Sequence, residues 1–184
     1  MVLTEEKIEK NISTFVKTGE KYGFVNDEFI ELYGEDLMNA PASMTEEGHN
    51  CFNGGLVDHI IRMTAHALKI NDGLAPSKQV GKESLIKVCF LHQIGKAKMF
   101  KPNTSSWHLE RGINFAWNEE TIALKVAENS IKYIMNTGIK LTEDEYDAIM
   151  LYGGEFTNRP LKSEGERISS IVKAANIIAI IEEK

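Results

Sequence analysis

Basic residues are in short supply. Lys and Arg together number 21 against 27 Asp and Glu, a net charge of −6. Broad nucleic-acid-binding faces are usually basic, so this balance argues against one and leaves room only for a local basic pocket. Cysteine is scarcer: Cys51 and Cys89 stand far apart and form no C-x-x-C pair. Cys89 lies in the apolar run Val88–Leu91 and reads as a core thiol. No apolar run approaches the ~18 residues of a membrane span. The opening Met1-Val2-Leu3-Thr4-Glu5-Glu6 lacks the apolar stretch of a signal peptide. A cytoplasmic location is therefore expected, where the sequons at Asn11 and Asn103 carry no meaning. Internal repeats, low-complexity tracts and convincing strands are also missing. What remains is 184 residues, 42% hydrophobic and 26% charged, enough for one soluble domain with a real core.

The periodicity is helical throughout. Thr4 caps a first helix with Ile8, Ile12, Phe15 and Val16 on one face, and Gly19 and Gly23 end it. Asn26 or Asp27 starts a short second helix with Phe29, Ile30 and Tyr33 inward. Residues 39–48 form a loop around Pro41. Leu56, Ile60, Met63, Ala67 and Ile70 are spaced 4, 3, 4 and 3 along a third helix, with His59 and His66 beside the stripe. Lys82 to Gln93 is a fourth, apolar nearly all round as a central buried helix would be, and Gly95 stops it.

Residues 101–117 show little periodicity, and a loop of that length suggests a flap over a site. Residues 119–135 read as a long helix with Ile122, Val126, Ile131 and Ile134 inward. Capping boxes at Thr142 and Ser163 open the last two helices. The first carries Tyr146, Ile149 and Met150 inward; the second carries Ile168, Ile171, Val172, Ala175 and Ile178. The class is all-α, one domain over 1–184 with about seven or eight helices, residues 1–40 preceding a core of 41–184.

Two stretches carry chemistry. His49-Asn50-Cys51-Phe52-Asn53-Gly54-Gly55-Leu56-Val57-Asp58-His59 runs into the third helix, and His92-Gln93-Ile94-Gly95-Lys96 closes the fourth. A lone histidine beside an apolar stripe is more often a hydrogen-bonded core residue than a ligand. Here, however, Gly54-Gly55 permits close backbone approach and Lys96 sets a cation beside His92, suited to a phosphate oxygen. Gly81-Lys82-Glu83-Ser84 is no phosphate loop, because position 76 is Pro and position 83 is Glu.

With Pro41-Ala42-Ser43, the set His49, Gly54-Gly55-Leu56, His59, His92-x-x-Gly95-Lys96 and Val172-Lys173-Ala174-Ala175-Asn176 resembles the HD superfamily of metal-dependent phosphohydrolases. The likeness is to the HD module of bacterial 3′–5′ exoribonucleases and phage HD proteins. It covers about residues 39–179 and implies an HD-type helical bundle. It also implies that His59 and His92 are metal ligands, with Gln93 and Asn176 where the family has its paired and distal Asp. His59, His92 and Asn176 should then converge from three helices. Further family histidines would fall near residues 151–155, where there are none.

Both departures replace a carboxylate by a neutral amide. Hard cations such as Mg²⁺ and Mn²⁺ favour carboxylates, so the implied cofactor is none or a weakly held divalent metal, and no bound hydroxide is expected. Compensating carboxylates would have to come from Asp58, Glu110 or Glu155, and Asp58 lies about 100° round the helix from His59. Lys96 and Arg111 are candidate catalytic cations, and His49 and His108 candidate ligand-binding groups.

The expected function is that of a phosphohydrolase-like protein for a nucleotide or other phosphate-containing small molecule, with impaired or absent hydrolysis. An active enzyme with a reduced ligand set and a non-catalytic interaction module remain open. Nucleic acid is a less favoured partner and a membrane is not expected; the oligomeric state stays unassigned.

Overall fold

The computed structural model describes residues 3–154 and 160–184. Among these, eight α-helices and one two-stranded sheet build the fold, in the order α1 (Glu5–Lys21), α2 (Asp27–Asn39), α3 (Gly55–Gly73), α4 (Lys82–Leu91), β1 (Phe100–Pro102), α5 (Ser106–Leu109), β2 (Phe115–Trp117), α6 (Val126–Asn136), α7 (Glu143–Tyr152) and α8 (Glu164–Glu183). The all-α class and the helix number agree with the sequence reading.

The helix starts are set by side chains that accept otherwise orphaned amide hydrogens. Thr4 accepts from the Lys7 amide, Asn26 from the Phe29 amide at 2.9 Å, Thr142 from Glu145 and Ser163 from Glu166. In the last two, the glutamates return the bond to the amides of Thr142 and Ser163.

The α3–α8 pair is the spine. α8 packs along α3 and α7, and α4 lies against α3, α7 and α8, while α1 and α2 cover the other side of α3. Leu56, Ile60, Met63, Leu85, Val88, Leu91, Ile149, Ile168, Val172, Ala175 and Ala179 are buried where these helices meet. At roughly 1.5–3 kcal/mol per large apolar side chain, this interface dominates the stability of the domain.

Four expectations are corrected. α1 runs through Gly19 to Lys21, because the Gly19 carbonyl accepts from both Phe24 and Val25 amides beyond the helix. Residues 101–117 include a hairpin: β1 pairs antiparallel with β2 in the register Phe100↔Trp117. The helix expected from 119 begins only at Val126. Asn118 instead folds a local turn, accepting from the Glu120 amide and from the Thr121 hydroxyl, and Ile122 is left 65% exposed. Ile30, Tyr146, Met150 and Ile178, expected inward, are exposed. On α8 the buried stripe continues from Ala175 to Ala179, one full turn on, and so passes Ile178 by.

Candidate functional site

Three elements deliver the site. The chain enters α3 through Gly54 at φ +75, and a Cβ on Gly55 would stand 2.1 Å from the Asn50 carbonyl. Two glycines are thus required to bring the His49–Asn50 loop against the start of α3. There, Asp58 accepts from Asn11 (2.9 Å), Asn50 (3.1 Å) and Arg62 (2.7 Å). Its carboxylate braces α1, the loop and α3, and is not turned towards His59. His59, the next residue and about 100° round the helix, is fully buried.

α4 ends at Leu91, and His92 caps it. A short 3-10 turn follows over Ile94–Lys96. The Ser130 hydroxyl of α6 donates to the His92 carbonyl (3.0 Å) and accepts from the Gly95 amide (2.9 Å), fastening this corner. A Cβ at Gly95 would fall 2.3 Å from the Val126 carbonyl, so the glycine is needed for close packing on α6 more than for ending α4.

Here His59, His92, Gln93 and Asn176 converge. His92 Nδ1 faces the carbonyls of Cys89 (2.9 Å) and Val88 (3.1 Å), so it carries the hydrogen and leaves Nε2 as an acceptor. The Gln93 amide nitrogen donates to that Nε2 at 3.1 Å and also lies 3.2 Å from Asn176 Oδ1, 3.2 Å from the Tyr152 hydroxyl and 3.5 Å from His59 Nε2. His92 thereby fixes which end of the Gln93 amide points inward. The other end, Oε1, is buried without a partner. Leaving a buried acceptor unpaired costs about 1–3 kcal/mol, so the inward NH₂ is held against a penalty.

His59 joins two neighbours. Its Nε2 lies 2.8 Å from Asn176 Oδ1 and its Nδ1 lies 2.9 Å from a carboxylate oxygen of Glu183. Both partners present oxygen atoms to the ring. The Glu183 side chain is only 1% exposed. The His49 ring lies 4.5 Å, centroid to centroid, from that of His59. One ligand atom each from His49, His59 and Glu183 falls within 4.8 Å of the others, a cluster with metal-ligand spacing.

The electrostatics follow from burial. Desolvation pulls His92 down to about 3, with the Cys89 carbonyl opposing. Burial likewise lowers His49 to about 3, helped by the charges of His59, Lys96 and Lys184. Burial brings the Lys96 ammonium down to about 8, against the pull of the Glu183 carboxylate. That ammonium donates to the Ala42 carbonyl at 2.9 Å. Burial also pushes the Tyr152 phenol up to about 12.

Other candidates lie elsewhere. Arg111 is exposed, stacks 3.8 Å over the Trp107 ring and donates to the Trp107 carbonyl. His108 packs edge-on against Trp107. Both contacts lie within the segment between β1 and β2. Glu110 is exposed, and Glu155 lies outside the described residues. Sequence reasoning missed Glu183 and Tyr152. Glu183 had one signal: it follows Asn176 by seven residues, two turns along the same α8 face. Tyr152 had none.

The HD-type ion does not fit the residues present. Ligands of such ions sit about 2.0–2.2 Å from the metal. The two ring nitrogens and Asn176 Oδ1 instead surround the Gln93 nitrogen at 3.1 to 3.5 Å, the spacing of a hydrogen-bonding group. Neither Gln93 nor Asn176 brings the negative charge that a hard cation needs. No known family model, curated protein or solved structure matches the chain. No helix among the described residues is long and apolar enough to cross a membrane.

Proposed function

We propose that the chain is an HD-type phosphohydrolase scaffold that binds a phosphate-containing small molecule, such as a nucleotide, without metal-dependent hydrolysis. The observation that carries the reading is the Gln93 amide nitrogen. It occupies the point on which His59, His92 and Asn176 converge, where the HD resemblance implies a cation. A tethered NH₂ offers its hydrogens to His92 Nε2 and Asn176 Oδ1 but cannot polarise a phosphoryl oxygen or acidify water.

Anion binding is supported by the neighbouring edge. The Glu183 carboxylate is seated against His59, its charge is felt by Lys96, and His49 Nε2 beside it is buried without a partner. The protein thus already holds one anion here. A phosphoester would take its seat by swinging the last turn of α8 outward, and Lys96 and His49 would meet its oxygens.

The reading is tested by titrating the protein with a nucleoside monophosphate in the presence of chelator, following the His49 and Lys96 side-chain resonances. Saturable shifts are expected, with no product after Mn²⁺ is restored. Turnover above the uncatalysed rate on adding Mn²⁺ would overturn it.

A further inference from the structure

The far edge of the His59 ring holds a second arrangement, built from residues that the HD resemblance does not pair. Nδ1 of His59 faces Glu183, and the His49 ring lies 4.5 Å, centroid to centroid, from that of His59. We propose that His49, His59 and Glu183 form a site for one borderline-soft divalent cation, Zn²⁺ or Ni²⁺.

Three observations carry it. The donor set is two imidazoles and one carboxylate, with ligand atoms all within 4.8 Å, and such a His₂-carboxylate set suits these ions. In a tetrahedral site with bonds of about 2.1 Å the ligand atoms stand about 3.4 Å apart. Closing the triangle therefore takes a small shift of His49, which is only half-buried. Second, His49 Nε2 is a buried nitrogen with no partner, while its neighbours in the cluster are bonded. Third, the outer shell is in place. A metal-bound His normally donates its other ring N–H to an oxygen acceptor that fixes its orientation. His59 Nε2 lies 2.8 Å from Asn176 Oδ1, and that oxygen is held in turn by Gln93.

In this arrangement the ion replaces the hydrogen now shared between His59 Nδ1 and Glu183. It ties the end of α8 to α3 and to the loop before it. Three protein ligands leave a fourth position for water. Lys96 and Lys184 oppose the added charge and so weaken the site. The site does not rest on the phosphoester reading. Because the cation needs Glu183 in place and a phosphoester takes its seat, the two should compete.

The test is titration of the full chain with Zn²⁺, and with Co²⁺ for its visible absorption, on wild type and on His49→Ala, Glu183→Gln and His66→Ala. His66 accompanies Glu182 on the exposed face of α3 and α8 and is the obvious adventitious site. Expected are one equivalent bound, tetrahedral cobalt absorption, and a melting temperature raised by about 5 °C at a hundredfold excess over Kd. Affinity should fall at least tenfold in His49→Ala and Glu183→Gln and hold in His66→Ala. Wild type failing to bind Zn²⁺ below about 100 µM (a ΔG° weaker than about −5.5 kcal/mol by the Kd relation) would overturn the site. So would binding that survives His49→Ala or disappears with His66→Ala. Failure here leaves the nucleoside monophosphate titration unaffected, so the two readings fall separately.

Discussion

At the scale of single residues, the account turns on two side chains in unusual settings. Gln93 presents its NH₂ to His92, Asn176 and Tyr152 and leaves Oε1 unpaired. His92 sits fully buried and neutral, with its folded pKa lowered to about 3 from 6.5. The unfolded chain therefore binds more protons between these values, and stability must rise with pH across that window. The stabilisation is complete above about pH 6.5 and is lost progressively as pH falls towards 3. By pH 5 the loss from His92 amounts to about 2 kcal/mol. Urea unfolding of wild type at pH 7.5 and pH 5 should show this loss. His92→Gln should shrink the difference, leaving the share that His49 contributes for the same reason. An unchanged pH dependence in that variant would show that His92 is not the buried neutral ring described.

The convergence of His59, His92 and Asn176 was legible in the sequence from their motif contexts, and so was the divergence of Asp58 from its helical angle. The closure of the cluster was not. It depends on how one amide is turned and on Glu183, which sits in an unremarkable Ile-Glu-Glu-Lys ending and gains its role only when α8 lies along α3.

At the scale of elements, the sequence was clearest where one side chain decides a boundary. Thr4, Asn26, Thr142 and Ser163 each cap the helix expected of them. It was least clear between Phe100 and Val126. Three-residue strands carry no period of their own, and β1 and β2 exist only because residues 17 apart meet, with the Phe100 and Trp117 rings at 5.4 Å. The late start of α6 has a similar cause: Asn118 satisfies local backbone groups in a turn and so competes with the helix.

Two predictions belong here. Gly95→Ala should destabilise the fold by about 2 kcal/mol, since a Cβ there meets the backbone carbonyl of Val126 at 2.3 Å and α6 must move. A loss under about 0.5 kcal/mol in chemical denaturation would mean that α6 does not press on this corner. Glu183→Ala removes one partner of a buried pair and should cost about 3 kcal/mol, together with faster hydrogen exchange in the last turns of α8. Unchanged exchange there would place the anchor of α8 elsewhere.

At the scale of the molecule, the helices supply a rigid frame in which the cluster is packed from every side. His59 and His92 are fully buried and Gln93 nearly so, so no solvent reaches the point where an HD-type ion would act. The frame explains how a set of ligand-like residues keeps its shape with an amide at the centre: α3, α4 and α8 are held by their own apolar contacts, and the polar cluster only has to be satisfied. It also implies that carboxylates placed at positions 93 and 176 should give the cluster affinity for a cation without rebuilding the fold.

Isothermal titration with Mn²⁺ decides this, on wild type, Gln93→Asp, Asn176→Asp and the double variant. The wild type is expected to show no binding tighter than about 1 mM, and the double variant at least a tenfold gain, or about 1.4 kcal/mol. The single changes should give less than the pair, because residues around one ion are coupled. A full equivalent of Mn²⁺ held tightly by the wild type would contradict the account, as would a folded double variant with no gain over it.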